Sequence, residues 1–342
     1  MSSFALTLVV LAGGASQDEA SSASTTAFLA LFERAPLVAF CEQHRRAEAH
    51  EFLRALVRHP DFGRTVDDVV VEFGNGLYQA VVDRYVAGEE VSLSELQHVW
   101  RDTTQWLVWD SPVYERFFAC VREANLRRPP EERVRVLLGD PAIPWAETKD
   151  AAAYRLHADR DRYYAEVVER EVLAKDRRAL LVYGGLHFLR GGPLPKSSPS
   201  AGAILDRNHP QTLHIVWTLP GAEPLAKSLG LARSPELVVL ADSPLGEQSF
   251  APLSPKGIQV QVVVGGVQQW KPLEEATWPP MAAVVDSLLY LGPEETEVLP
   301  DPAIYRDAAY EAELRRRAAI LQEVHGMDFL PELEELLGTA VK

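Results

Sequence analysis

The sequence predicts an α/β fold, a mostly parallel central sheet flanked by helices, with an active-site cleft at the carboxyl ends of the strands. Three observations carry this. Two short apolar runs, Leu37–Cys41 and Arg178–Tyr183, each stop at a tight turn of small or polar residues and then present a histidine, His44 and His187. A third run, Val66–Phe73, holds Glu72 near its end and is closed by Gly74-Asn75-Gly76. Segments of helical periodicity separate these runs, the alternation expected of βα crossovers in a parallel sheet. Open sheets of this kind bind ligands in the crevice beyond the carboxyl ends of their strands.

The elements follow in order. Phe4–Ala15 is apolar, too short to span a bilayer, and is followed by a Ser/Ala-rich stretch. It has the core of a secretory signal but no positive flank; a buried first strand is the alternative. Residues 1–24 are therefore expected to be a signal peptide and disordered segment of an exported, periplasmic or extracellular protein; a cytoplasmic location is the other possibility. Residues 25–342 are expected to form one domain. A short helix is predicted over Thr26–Arg34, and another over 47–58, where Ala47, Phe52, Leu53, Leu56 and Val57 share a face. A helix from Leu77 to Ala87 stops at Gly88. Ser92–Trp109 and Pro112–Leu126 read as two more, the first opened by the capping box Ser92–Glu95. Arg133–Leu138 is a strand ending at Gly139-Asp140, and Lys149–Lys175 reads as one long charged helix.

Residues 189–210 are rich in chain breakers and read as a long loop, a lid or linker behind a candidate catalytic strand. Beyond it, Thr212–Thr218, Leu237–Ala241, Ile258–Val264 and Val284–Leu291 read as strands continuing the same sheet. A helix over Pro302–Glu323 and a shorter one after Pro331 close the chain.

Composition excludes several functions. The chain has 342 residues and a formal net charge of −15, which repels phosphate backbones; its arginine clusters are short and interleaved with acids, so nucleic acid is not an expected partner. No run is long enough to be a transmembrane segment. Two cysteines, Cys41 and Cys120, are too few for a disulfide scaffold or a zinc spacing, although one bridge stays open. There is no Gly-x-Ser-x-Gly elbow, Walker loop, dinucleotide fingerprint or His-Glu-x-x-His motif.

What remains is a histidine–carboxylate constellation. Glu42 and His44 are two apart, so both point to one side of an extended chain, where a carboxylate orients an imidazole base or completes a metal site. Glu72 ends the apolar run Val69–Val71, where an unpaired charge is costly and functional groups concentrate. Gly184-Gly185 lets the backbone turn sharply ahead of His187. These four are the candidate catalytic residues and equally the candidate metal ligands. Asp140, Arg160, Glu166 and His50 are candidate substrate-binding residues: Asp140 at a strand end, Arg160 and Glu166 on the long helix, and His50 in the first turns of the helix over 47–58. An arginine there would hold a substrate carboxylate or stabilise an oxyanion.

An ordered set of motifs resembles the superfamily of erythromycin-esterase-like, ChaN-type haem-binding and Tiki/TraB-type proteins. The matching stretches are Cys41–His44, Val70–Asn75, Val99–Arg101, Arg122–Asn125, Gly139-Asp140, Arg160–Glu166 and Gly184–His187, with Leu289–Pro293 resembling a closing strand. The resemblance implies an α/β fold with a strand-end cleft. It implies, from esterase-like members, that His44 activates water against an ester or lactone without metal. From Tiki-like members it implies peptide cleavage with a divalent metal, and from ChaN-type proteins haem binding. The chain departs from the pattern at Cys41, where glycine is usual, and at Arg45, where glycine often follows the histidine in the esterases.

The leading expectation is thus a hydrolase of an ester, lactone or amide in a small-molecule or peptide substrate. His44 would be the base, oriented by Glu42 or Glu72, with His187 polarising the carbonyl. Its cofactor would be none, or Zn²⁺, Mn²⁺ or Co²⁺ on the same residues. The alternative is a non-catalytic haem or ligand binder.

Overall fold

The computed structural model describes residues 17–340 apart from 194–198, 222, 232, 255 and 265–266. The expected signal stretch, Phe4–Ala15, lies outside the described residues. Among them, no helix is long and apolar enough to cross a membrane. The chain begins with helix α1 (Gln17–Leu29), then β1 (Leu37–Glu42), α2 (Ala47–Arg58), α3 (Phe62–Thr65), β2 (Asp68–Asn75), α4 (Gln79–Ala87), α5 (Leu93–Arg101) and α6 (Pro112–Arg127). There follow β3 (Arg135–Asp140), α7 (Ala151–Arg155), α8 (Arg160–Glu171), β4 (Ala179–Gly184), α9 (Ala201–Asn208), β5 (Leu213–Pro220), α10 (Glu223–Ser228) and β6 (Glu236–Val239). The last elements are β7 (Gln259–Val264), β8 (Val267–Pro272), α11 (Met281–Val284), β9 (Ser287–Gly292), α12 (Ala308–His325) and α13 (Leu330–Ala340).

Seven strands form one sheet in the order β3-β2-β4-β1-β5-β9-β6, parallel except for the edge strand β6. Helices bury both faces, which is why β1, β2 and β4 are apolar runs without alternation. Alternate residues serve opposite layers. Val38 and Phe40 join the core under α2, α4, α5 and α6, whereas Leu37, Ala39 and Cys41 join the core under α8, α9 and α11. From β1 the chain crosses over β4 to reach β2; from β4 it crosses over β1 to reach β5. The ends of β1 and β4 therefore feed connections running in opposite directions, the switch point at which such sheets leave a crevice.

Five expectations need correction. Residues 17–24, expected to be disordered, belong to α1, where the Ser24 hydroxyl donates to the Pro235 carbonyl at 2.6 Å and Phe28 packs on Phe40 and Phe52. The helix expected over Lys149–Lys175 is broken into α7 and α8, because Asp159 turns its carboxylate onto the Arg162 amide and starts a new helix. The helix expected over Ser92–Trp109 stops at Arg101. Asp102 is held instead by His98, Tyr78 and Arg317, and Asp140 holds Thr104, so tertiary partners outcompete the helical pattern. The 189–210 loop contains α9, capped by the Ser200 hydroxyl. The Ile258–Val264 strand does not continue the main sheet but pairs with β8 in a separate two-stranded hairpin.

Candidate active site

Glu42 is the last residue of β1 and is buried. One carboxylate oxygen takes Nδ1 of His44 at 2.5 Å and the other takes Nε2 of His50 at 2.9 Å. The Tyr114 hydroxyl stands 3.4 Å from the second oxygen. A carboxylate only accepts, so both imidazole nitrogens donate, which fixes the tautomers and leaves His44 Nε2 as its free atom. Burial pushes the Glu42 carboxyl up, but the adjoining imidazoles more than offset it and hold it at about 2. Burial likewise disfavours a charged His44, yet Glu42 and the nearby Glu72 carboxylate raise it to about 9. Its side chain is 41% exposed, with Trp109 edge-on at 4.8 Å.

Glu72, near the end of β2, is turned the other way. One oxygen pairs with the Arg160 guanidinium at 2.6 Å and the other accepts the Gly184 amide at 2.7 Å. Arg160, at the start of α8, also pairs with Asp140 at the end of β3, 2.9 Å away. Asp140 accepts from the Thr104 amide and hydroxyl as well. Here two acids share one cation inside the protein; burial holds the Asp140 carboxyl above the ordinary range while Arg160 and Thr104 oppose it.

His187 follows β4. Its Nδ1 meets Asp161 at 2.8 Å, and its ring lies flat on Tyr183 with centroids 4.2 Å apart. Burial pushes the Asp161 carboxyl up, but the His187 contact brings it below its usual value.

Gly184 joins the three groups. A Cβ built there would stand 3.3 Å from His44 Cε1, 3.4 Å from Glu72 Oε2 and 3.4 Å from His187 Cδ2. The strand order explains this: β4 lies between β1 and β2, so its terminal glycine sits between their acids. Only a residue without a side chain leaves that space open.

The structure thus brings Glu42, His44, Glu72 and His187 together, but reassigns several residues. Glu42, not Glu72, orients His44. His50 is fully buried behind Glu42, and Asp140 is buried behind Arg160, so neither is placed to touch substrate. Arg160 is occupied by two carboxylates. Glu166 is not in the site: it faces outward on α8 and pairs with Arg162 one helical turn away. Cys41 and Cys120 are unpaired, and burial pushes the Cys41 thiol upward, away from nucleophilic character. Asp161, Thr104, Trp109 and Tyr114 were missed as site residues. Asp161 adjoins Arg160 in a stretch singled out above, and that adjacency was the available signal.

The expected metal ligands do not fit a divalent ion. Among the described residues no group of three or more His, Cys, Asp or Glu side chains is placed to share one. Both Glu42 oxygens are taken by imidazoles, and both Glu72 oxygens by Arg160 and a backbone amide. A guanidinium therefore sits where the chemistry of a metal site would need a vacant carboxylate.

No protein-family model matches the chain, and no curated protein matches it. Among solved structures, a succinoglycan biosynthesis protein is similar with a TM-score of 0.52 at 9% identity, over 82% of this chain and 98% of that one. An open erythromycin esterase, EreC, is similar with a TM-score of 0.45 at 12% identity, over 80% and 94%. The haem-bound ChaN of Campylobacter jejuni is similar with a TM-score of 0.38 at 15% identity, over 57% and 86%. Such identities speak to the fold alone, and the fold is the expected one.

Proposed function

We propose that this chain is a hydrolase of ester or lactone bonds, with amides as the slower substrates, acting without a metal ion. The observation that carries the reading is the Glu42–His44 pair, held at 2.5 Å with its imidazole half exposed just past the end of β1. Glu42 accepts a hydrogen bond from Nδ1–H, so His44 Nε2 is free to accept a proton from water as that water attacks a carbonyl carbon. Glu42 then stabilises the imidazolium that forms. His187, held through Nδ1 by Asp161, presents Nε2 to the same space. Its ring edge polarises the carbonyl and stabilises the oxyanion of the tetrahedral intermediate. The Glu72–Arg160–Asp140 network fixes the floor under Gly184 rather than entering the reaction. An exported location remains part of this proposal, resting on the apolar N-terminal stretch.

The test is hydrolysis of a panel of p-nitrophenyl esters, aryl lactones and anilides in the presence of a chelator, with His44→Ala and His187→Ala compared. Loss of His44 is expected to lower kcat/KM at least about a hundredfold, the usual weight of a general base, and loss of His187 also at least about a hundredfold, the low end for an oxyanion donor. Equal rates in wild type and His44→Ala would overturn the proposal. So would absence of turnover with a Soret shift on haem titration that His44→Ala abolishes, which would make the site a haem ligand.

A further inference from the structure

Beside the catalytic turn lies a cavity of about 780 Å³ that the reaction scheme above does not use. It begins at Cys41, Glu42 and Gln43 at the end of β1 and at Gly185-Leu186 after β4, and extends toward β5 and α10. Its wall is mixed: the apolar side chains Leu186, Trp217, Leu219, Leu225 and Leu253 share it with Gln43, Ser254, Lys256 and Glu295. Trp217, Leu219 and Leu253 are 4 to 7% exposed, so each is anchored in the core and shows only an edge to the cavity. The wall is also stiff. Trp217 packs edge-on against Phe250 at 5.4 Å, and Phe250 against Trp278 at 4.9 Å.

The turn is shaped to let this wall reach the chemistry. A Cβ at Gly185 would stand 2.5 Å from the Trp217 ring and 3.2 Å from Cys41 Cβ, so only glycine lets the indole close against the strand end. Gln43, the residue before His44, is pinned by donating to the Thr218 carbonyl at 2.8 Å. The cavity thus opens next to His44 along the backbone, on the β5 side, while the His44 ring itself leans the other way, toward Trp109.

We infer that this cavity is the acyl subsite, and that the substrate is an ester or lactone whose acyl part is a long apolar chain or ring system rather than a short polar one. The inference rests on the hydrolase reading and adds the substrate class to it. The volume is in the range of small-molecule sites, and the apolar side of the wall would take an apolar body while Lys256 and Glu295 stay beside its polar end. Each methylene moved from water into such a wall changes binding by up to about fourfold.

The experiment is a p-nitrophenyl series from acetate through butyrate and hexanoate to octanoate. It compares wild type with Leu253→Trp and, on the partly exposed side of the cavity, Leu225→Trp, each checked for folding by circular dichroism. In wild type kcat/KM rises with chain length, by about two- to fourfold per methylene. The octanoate-to-acetate ratio falls at least tenfold in one or both filled variants. A flat wild-type series, or an unchanged ratio in both folded variants while His44-dependent turnover persists, overturns the subsite and leaves the hydrolase reading standing. If no ester is turned over, the hydrolase reading fails instead, and calorimetric titration with octanoate decides the subsite. Binding that is weakened tenfold in Leu253→Trp or Leu225→Trp supports an apolar-chain site, and no binding overturns it.

Discussion

Replacing Arg160 by methionine removes a cation that two buried acids share. Glu72 and Asp140 are 3% and 0% exposed, and Arg160 itself 12%, so water does not take over the role of the guanidinium. Methionine keeps much of the aliphatic stem and deletes the charge. Breaking a buried pair by removing one partner costs about 3–5 kcal/mol, because the other charge is left uncompensated. The remaining partners, the Gly184 amide on Glu72 and Thr104 on Asp140, keep the loss within that range rather than at its double. Against a typical total stability of about 5–15 kcal/mol this is a large fraction. The assay is urea unfolding of wild type and Arg160→Met from about pH 8 down to about pH 5. Burial holds the Asp140 carboxyl above its ordinary range, and without Arg160 it rises further. An acid whose folded value is raised destabilises the fold above that value and ceases to do so once protonated. The deficit of the variant is therefore greatest at the alkaline end and shrinks as the pH falls. Asp140→Asn in the Arg160→Met background restores part of the loss. A deficit under about 1 kcal/mol, the weight of an exposed pair, would refute the reasoning, and so would one independent of pH.

Other consequences follow from the same geometry. His50→Phe deletes a bond to a charged carboxylate, worth about 1.5–3 kcal/mol, and lowers both unfolding midpoint and turnover. His50→Gln, which offers an amide donor in place of Nε2, recovers part of both, and equal losses in the two variants would argue against the bond. Gly184→Ala places a methyl group in ordinary to tight contact with three side-chain atoms at 3.3 and 3.4 Å. It is expected to fold with little loss of stability but to lose at least tenfold in kcat/KM, read by parallel thermal melts and ester assays; unchanged kinetics would show that the reaction lies elsewhere. Exhaustive chelation is expected to leave wild-type turnover intact, and recovery of lost turnover by Zn²⁺, Mn²⁺ or Co²⁺ would contradict the account.

Much of the fold was legible because strands buried on both faces need apolar runs, and Leu37–Cys41 in β1, Val69–Val71 in β2 and Ala179–Tyr183 in β4 are such runs. The meeting of Glu42, His44, Glu72 and His187 was legible for a related reason: acids and imidazoles that close apolar runs have little place to go but a strand-end crevice. What escaped depended on side-chain direction. Tyr164, Val167 and Val168 turn inward on α8, which carries Glu166 and Arg162 outward, and this rotation is set by where Asp159 starts the helix. The irregular chain after Arg101 has apolar residues at helical spacing, and only the distant Asp140 and Arg317 reveal why it unwinds. Gly202 sits against the Phe188 backbone, so α9 depends on a contact that local pattern alone does not show.

The pH dependence of kcat/KM for a good ester substrate tests the central claim most directly, measured for wild type and Glu42→Gln. With His44 raised to about 9 by Glu42 and Glu72 against its burial, activity in wild type climbs with pH through a limb near that value, where the neutral base appears. Glutamine removes the Glu42 charge that favours the imidazolium, so burial prevails and the limb moves to lower pH. Because water screens part of the Glu42 pull on a half-exposed ring, the expected displacement is at least about one unit rather than the whole shift. A limb that stays in place in Glu42→Gln, or a wild-type profile with no such limb, would contradict His44 as the base that Glu42 controls.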